Sequence, residues 1–493
     1  MSSDFSPDQK RYLEGVVSGL SASRVARTTA PAKSEPVGPD AIHFKAQDRT
    51  VAAGGKLNDQ EKFKRDEHPF DAYPRLVKQA ENNEAPKPQD NFRWRYYGIF
   101  YVAPTQASYM CRLRIPNGIL KHWQFAGVAD LAENFAGPYA HVTTRANLQL
   151  REIEPKNAIN FIEGLQDLGL CSRGSGADNI RNVTGTSTAG IDPQEILDTR
   201  RYAREWHFHI LNDRSLYGLP RKFNVAFDGA GRIATLEETN DIAFQAVEVL
   251  EGHGVEPGIY FRLALGGITG HKDFARDTGV ILKPQEATDV ADKIVRVFIE
   301  NGDRTNRNKA RLKYVLDSWG FDKFLVAVEE KLGRKLARVP AEAIAPRPAY
   351  DRFAHIGVHP QKQTGLNWIG VALKLGRLSP EQIRGLAKLA ADFGDGDIRL
   401  TVWQNLLISG VADANVKTVN AAIEALGLAT TTSALRAGPI ARTGATGCRF
   451  AAASTHQYAD DIAARYEVQV PLQPHVHLPL PRCHHPSAHP YTR

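Results

Sequence analysis

The sequence contains little cysteine and no long apolar run. Only four cysteines occur in 493 residues, which excludes a small scaffold held together by disulfides. No segment approaches the roughly 18 consecutive apolar residues of a membrane span. The amino-terminal residues also lack the apolar core of a signal peptide. These features predict a cytoplasmic protein without a membrane partner.

The composition is that of a folded protein with a basic surface. Hydrophobic residues make up 42% of the chain and charged residues 24%, which argues against a fibrous or disordered chain. The length corresponds to about three domains. The net charge of +7 and the pI near 9.1 predict attraction to an acidic partner, which could be a nucleic acid, an anionic substrate or an acidic protein.

An internal repeat organises the chain. Residues 139–170 align without a gap onto residues 397–428, at an offset of 258 residues. Both copies show an alternating strand, a turn and a helical pattern that ends at a glycine, Gly169 or Gly427. Another strand and helix precede each copy. The repeat predicts two αβ half-units that are related by a pseudo-twofold axis, with an α/β or α+β segment between them.

Basic residues are concentrated in four strand-like segments. These are CRLRIPNG, TTRANLQLR, NIRNVTG and LPRKFNVAF. Arg112 and Arg114 are two residues apart, so they share one face of a predicted strand. If the four segments converge, their arginines and lysines form a pocket for a polyanion. The alternative is a set of unrelated surface charges.

Other segments give weaker signals. GGITG at residues 266–270 lacks the spacing of nucleotide-binding loops and predicts a tight turn after a strand. His207 and His209 fall on one face of a predicted strand and could ligate a metal, although core or surface histidines are the simpler interpretation. Cys111 and Cys171 are interpreted as buried thiols.

Five segments together resemble the siroheme and iron–sulfur family of assimilatory nitrite and sulfite reductases. They are RxRxPxG at 112–118, TTRxNxQLR at 143–151, RNVTG at 181–185, LPRKFN at 219–224 and the region around Cys448. The resemblance covers residues 92–489 and is greatest to ferredoxin-dependent nitrite reductases. It implies an α+β fold with two pseudo-twofold-related ferredoxin-like half-domains and siroheme-binding αβ domains, the second of them truncated.

The implied division of the chain has five parts. Residues 1–90 form a partly ordered extension that wraps or tethers, with a short helix around residues 7–20. The remaining parts are a first ferredoxin-like half-domain at 91–170, a siroheme and substrate αβ domain at 171–345, a second half-domain at 346–435, and the start of a second αβ domain with the remnant of an iron–sulfur site at 436–493.

The resemblance also implies roles for individual residues. Arg112, Arg181 and Lys222 would hold the substrate anion and deliver protons. Asn224 stands where sulfite-reducing relatives commonly carry a second lysine, which favours nitrite. Contacts to siroheme and its carboxylates are expected from Arg114, Thr144, Arg145, Asn147 and Gln149. Burying the eight carboxylates of siroheme requires such a cluster of cations.

The expected [4Fe-4S] site departs from the family pattern. The family binds its cluster through CxxxxxC and a later CxxxC, and a closed site needs all four thiolates. Cys448 and Cys483 occupy two of these positions, whereas Arg442 and Ser487 stand in the other two. The chain is therefore expected to be deficient in the cluster. A damaged or incomplete nitrite reductase is favoured over a paralogue that has lost the cluster.

The expected activity is the six-electron reduction of nitrite to ammonium, with electrons from reduced ferredoxin, an acidic donor. Alternatives are a sulfite reductase of the same family and a non-catalytic siroheme-binding protein. A nucleic-acid-binding protein ranks last, because an RNA-binding motif is lacking. A monomer is expected by analogy with the family.

Overall fold

The computed structural model describes residues 35–431 apart from 104–105, 272 and 352, and short pieces beyond residue 439. No helix among these residues is long and apolar enough to cross a bilayer. The helix predicted around residues 7–20 lies outside the described residues.

The described part of the N-terminal extension is helical. It contains α1 (Ala41–Ala52), α2 (Asp59–Asp66), α3 (Tyr73–Glu81) and α4 (Pro88–Trp94). The side chain of Asn58 caps α2 by accepting the Glu61 N–H. Leu76 of α3 is buried in the core of the half-domains, whereas Ile42 of α1 packs against the core of the αβ domain. The extension thus wraps across both cores, and residues 35–90 are more ordered than their composition indicates.

The first half-domain contains β1 (Ile99–Val102), β2 (Ser108–Arg112), β3 (Ile119–Lys121), α5 (His122–Phe135), β4 (Ala140–Val142), β5 (Leu148–Ile153) and α6 (Ala158–Asp167). The αβ domain follows with β6 (Thr184–Gly185), α7 (Arg200–Asn212), β7 (Val225–Asp228), β8 (Ile242–Val249), β9 (Gly258–Leu265), β10 (Arg276–Leu282), α8 (Ala287–Asn301), α9 (Leu312–Trp319) and α10 (Phe321–Leu332).

The second half-domain contains β11 (Gly357–Pro360), β12 (Leu366–Val371), β13 (Arg377–Leu378), α11 (Pro380–Phe393), β14 (Asp397–Leu400), β15 (Leu406–Ala412) and α12 (Val416–Ala425). Beyond it, β16 (Ile440–Ala441) pairs in parallel with β17 (Pro479–Leu480). The bounds of α11, α12 and β11 equal those of α5, α6 and β1 displaced by 258 residues. This agreement confirms the duplication predicted from the sequence.

Each half-domain completes its five-stranded sheet with a strand from the other half. The first sheet has the order β1-β2-β5-β4-β13, and the second has the order β11-β12-β15-β14-β3. Both exchanged strands pair antiparallel, β13 with β4 and β3 with β14. The two half-domains consequently share one hydrophobic core, which contains Phe125, Leu150, Trp368 and Ile423.

The αβ domain is built on a mixed sheet. Its strand order is β10-β9-β8-β7-β6, in which β6, β7 and β8 are parallel and the remaining pairs are antiparallel. Because parallel strands start at the same edge of a sheet, the segments that precede β6, β7 and β8 lie side by side. Those segments carry Arg181, Lys222 and Asp241 respectively.

Candidate active site

Two segments predicted from the sequence are hydrogen-bonded to each other at this edge. The Arg181 N–H donates to the carbonyl of Phe223 at 2.8 Å, and Ile180 and Phe223 form a parallel bridge. This pairing places Arg181 beside Lys222 and Asn224. Asn224 is 8% exposed, and its N–H donates to a carboxylate oxygen of Asp241 at 2.8 Å.

The first half-domain supplies Arg112 and Arg114, which have different surroundings. Arg112 ends β2, is partly exposed, and places its guanidinium 4.7 Å from the centroid of the Phe100 ring. Arg114 is 1% exposed and donates to the carbonyls of Ile180 at 2.7 Å and Arg181 at 3.3 Å. Arg114 therefore holds the segment that carries Arg181, and its guanidinium is directed at backbone oxygens.

The turn before β5 connects the half-domain to the αβ domain. Thr144 lies in this turn and is half-buried, and Arg145 donates to the side chain of Asn240 at 2.6 Å. The amide of Asn147 donates to the Leu113 carbonyl and its oxygen accepts the Leu148 N–H. Asn147 thus fixes the turn. When the side-chain amide of Gln149 is oriented with its oxygen toward Arg151, that oxygen accepts a hydrogen bond from the Arg151 guanidinium at 2.6 Å.

Four cations, Arg112, Arg181, Arg221 and Lys222, lie close enough to repel one another, and we call this group the cationic pocket. Burial, followed by repulsion from Arg311, Arg181, Arg221 and Arg112, holds the pKa of Lys222 well below its usual value. Burial and the neighbouring charges of Arg151 and Arg95 lower the pKa of Arg112 to about 10. The Lys222 side chain is nonetheless exposed, so its ammonium is accessible to an anion in solution.

Arg181 is held without a carboxylate partner of its own among the described residues. Its two terminal nitrogens donate to the carbonyls of Ser175 and Ala177, and its Nε is buried without a hydrogen bond. Burial and the charge of Arg112 set the pKa of Arg181 well below its usual value. A pocket with this excess of positive charge is suited to an anion or to several carboxylates.

Sequence reasoning did not single out three further cations near the pocket. Arg95 follows α4, Arg151 lies on β5 and Arg311 precedes α9. Arg151 is two residues beyond Gln149, so strand alternation could have found it. Arg95 and Arg311 lie in segments whose patterns carry no such signal. Arg311 is fixed by Asp241, whose carboxylate accepts a hydrogen bond from Nη2 of Arg311 at 2.6 Å.

The structure corrects the prediction for His207 and His209, which lie on α7 and not on a strand. His207 is 5% exposed, and burial followed by the charge of Arg114 lowers its pKa to about 3. His209 hydrogen-bonds Asp292 at 3.0 Å. The Asp292 carboxylate also accepts from Arg296 at 2.8 Å. The carboxylates of Asp292 and Asp213 are therefore already neutralised by the guanidinium of Arg296.

The remaining weak signals have structural explanations or cannot be placed. The GGITG loop follows β9, and the N–H groups of Gly266 and Gly267 donate to the carbonyls of Asp241 and Asn240 at 2.9 Å. Cys111 is buried in the core and Cys171 is partly buried. The residues expected at the iron–sulfur site, Arg442, Cys448, Cys483 and Ser487, lie outside the described residues.

Comparisons with known proteins agree with this architecture. The family described as nitrite/sulfite reductase ferredoxin-like half domain matches residues 101–168 and 359–426, which are again displaced by 258 residues. The family described as nitrite and sulphite reductase 4Fe-4S domain matches residues 176–336. A ferredoxin–nitrite reductase of Synechococcus elongatus is 33% identical over 79% of this chain and 76% of its own length. The chain belongs to the nitrite and sulfite reductase family.

Other members of the nitrite and sulfite reductase family are also similar to the chain. The chloroplastic ferredoxin–nitrite reductase of Zea mays is 29% identical over 91% of this chain and 82% of its own length. The solved structure of the NirA protein of Mycobacterium tuberculosis superposes with a TM-score of 0.78 at 28% identity. It covers 85% of this chain and 79% of that one. The family fold, with two ferredoxin-like half-domains, is thereby confirmed.

Proposed function

We propose that the chain is an assimilatory nitrite reductase that binds siroheme and reduces nitrite to ammonium in a six-electron reaction. The observation that carries this proposal is that Arg112, Arg181 and Lys222, which come from three separate segments, lie close enough to lower one another's pKa. Relatives named as ferredoxin–nitrite reductases support nitrite as the substrate and reduced ferredoxin as the donor.

The residues of the pocket fit siroheme. The guanidinium of Arg181 is enclosed and has hydrogen-bonding capacity that the protein does not use. Arg145 and Gln149 lie in and beside the turn that joins the first half-domain to the αβ domain, where they would hold the siroheme carboxylates. Arg114, Asn147 and Thr144 would support them by fixing the adjoining segments. When bound, siroheme would supply the iron at which nitrite is reduced.

The chain's own residues would bind the anion and supply protons. Arg112 and Arg181 would hold the nitrite oxygens and stabilise negative charge that moves onto oxygen as N–O bonds break. The lowered pKa of Lys222 makes its ammonium a better proton donor than an ordinary lysine near neutral pH. Asn224 beside it adds no charge, which suits a singly charged substrate.

The cysteines fit a complete [4Fe-4S] cluster poorly. Of the four in residues 1–493, Cys111 is enclosed in the shared core, and burial raises the pKa of its thiol to about 12. Cys171 lies beside Arg114, and its carbonyl accepts a hydrogen bond from the backbone N–H of Arg114 at 2.7 Å. Cys448 and Cys483 thus remain as candidate ligands, and Arg442 and Ser487 stand at the other two positions of the four-thiolate pattern.

We also propose that the protein is a monomer located in the cytoplasm.

The test is reconstitution of the chain with siroheme, followed by turnover of nitrite and sulfite side by side with reduced methyl viologen. We expect siroheme absorption bands and a preference for nitrite, with slow turnover because the cluster site is incomplete. Lys222→Met should lower kcat/KM for nitrite by about 100-fold. Lys309→Met, at an exposed lysine of the same domain, should leave it unchanged. Failure to bind siroheme, or faster turnover of sulfite, would contradict the proposal.

A further inference from the structure

Asp178 is a buried carboxylate between the N-terminal extension and the cationic pocket. Its side chain is fully enclosed. Arg307 donates to both of its oxygens, at 2.7 and 2.8 Å. Lys64 of α2 approaches to 3.6 Å and Arg221 of the pocket to 3.9 Å. One negative charge is thus shared among three cations, with the tightest contact to Arg307 and the loosest to Arg221.

Lys64 is fixed by contacts on both sides of this boundary. Its side chain is 6% exposed. It binds Glu61 within α2 and donates to the carbonyl of Leu219 at 3.0 Å, close to Arg221 in the chain. Glu61 in turn accepts from the fully buried Arg304 at 2.6 Å. The ammonium of Lys64 therefore has little freedom to leave Asp178.

The charges around Asp178 determine how strongly its carboxylate attracts the cations of the pocket. Burial alone would raise the pKa of Asp178, but Lys64, Arg307 and Arg221 outweigh burial and lower it to about 2, so the group stays ionised. Arg181, three residues along the chain, also senses this charge. If Lys64 were neutral, the carboxylate would attract Arg221 more strongly and draw it away from Lys222.

We propose that Asp178 is an internal counter-anion of the cationic pocket and that Lys64, a residue of the N-terminal extension, limits its hold on Arg221. Lys64 and Asp178 are positioning residues, since they act on the bound anion through Arg221 and Arg181. The extension thereby sets the affinity of the pocket for an anion. This inference rests on the proposed function only for the identity of that anion.

The test uses two substitutions that remove charges of opposite sign. Lys64→Met should weaken nitrite binding to the siroheme-loaded chain by about fivefold or more, and Asp178→Asn should strengthen it by a similar factor. The dissociation constant is measured from the change in the absorption spectrum. Lost packing alone would weaken binding in both variants, which would overturn the inference. Lys64→Arg should restore the wild-type value.

Lys62→Met is the matched control, because Lys62 lies on the same helix but its side chain is 47% exposed and pairs only with Asp59 among the described residues. It should leave nitrite binding unchanged. If Asp178→Asn does not fold, Arg307→Met takes its place, since Arg307 is 22% exposed and touches the same carboxylate. That variant frees Asp178 to attract Arg221, so it should weaken binding, and Arg307→Lys should restore it. Tighter binding in Arg307→Met, or no restoration in Arg307→Lys, would contradict the inference.

A second measurement needs neither siroheme nor turnover. Acetylation of Lys222 by acetic anhydride, followed by mass spectrometry, reports the fraction of neutral amine. Asp178→Asn leaves the neighbouring cations uncompensated and should speed labelling, whereas Lys64→Met should slow it. Opposite changes in the labelling rate of the two variants, in a chain that binds no nitrite, would contradict the proposed function and support this inference. Equal changes, or no change, would contradict the inference.

Discussion

Glu237 is a buried carboxyl group with acidic neighbours. It is 3% exposed and accepts a hydrogen bond from Gln245 at 2.8 Å. Arg347 lies 3.7 Å away but also binds Asp228. Burial, followed by the charges of Asp228 and Glu238, raises the pKa of Glu237 to about 8. The folded protein therefore binds this proton more tightly than the unfolded chain does.

The sign of the resulting pH dependence follows from linkage. The stabilising contribution of Glu237 is fully present below its unfolded pKa of about 4.3 and is lost as the pH rises through about 8. Glu237→Gln should remove this part of the pH dependence and be more stable than wild type at pH values above 8. Urea unfolding at a series of pH values from below 4.3 to above 8 measures the free energy of unfolding of both proteins. Glu248→Gln, on the exposed face of β8, should follow wild type, and parallel curves for Glu237→Gln would contradict the prediction.

At the same scale, the sequence motifs picked out three cations that lie near one another in the fold, but not the groups that support them. Arg112, Arg181 and Lys222 stand in motifs, and the structure brings them together. Arg311 and Lys64 approach the pocket from segments far away in the chain, so no local spacing relates them to it. Such contacts depend on how α2 packs against the αβ domain and how α9 packs within it, which the sequence pattern does not specify.

Among the elements, α5 and α11 each carry a glycine against a leucine. A Cβ on Gly127 would lie 2.3 Å from a methyl group of Leu168, and one on Gly385 would lie 2.6 Å from Leu426. The two pairs are equivalent under the 258-residue displacement. Without a clash, glycine to alanine inside a helix stabilises by roughly 0.5–1 kcal/mol. The close contact should reverse this sign.

We expect Gly127→Ala to destabilise the protein by about 1–3 kcal/mol. Combining it with Leu168→Ala removes the overlap, so the double variant should be more stable than the sum of the single changes indicates. Thermal unfolding of the four proteins in the cycle measures this coupling. The cycle at Gly385 and Leu426 is the replicate. Stabilisation by Gly127→Ala alone would show that the contact is not restrictive.

The repeat was the element-scale feature that the sequence predicted best. Strand and helix periodicities survive duplication, and a constant offset makes them visible even where few residues are identical. The strand predicted around His207 and His209 was wrong, because two histidines at alternate positions mimic a strand whereas Ala203, Trp206, His207 and Ile210 are buried at helical spacing on α7. The exchange of β3 and β13 was not predicted, since strands of two or three residues carry almost no pattern.

For the whole molecule, Arg442 and Ser487 at two of the four expected cluster-ligand positions predict a deficient electron-entry site. Chains isolated from a host that makes iron–sulfur clusters should contain well under one [4Fe-4S] cluster each, by EPR and by iron and sulfide analysis. The double variant Arg442→Cys and Ser487→Cys completes the four-thiolate pattern and should increase the cluster content. Cys111→Ala, in the shared core, should leave the iron content unchanged. Full occupancy in wild type would contradict the prediction.

The reciprocal exchange of β3 and β13 has a consequence for synthesis on the ribosome. When the first half-domain emerges, the edge of β4 has no neighbour until Arg377 and Leu378 have been translated. The nascent chain must therefore hold an open sheet edge while the entire αβ domain is made. Binding by a chaperone, or early folding of the αβ domain beside that edge, would guard it against pairing with other nascent chains.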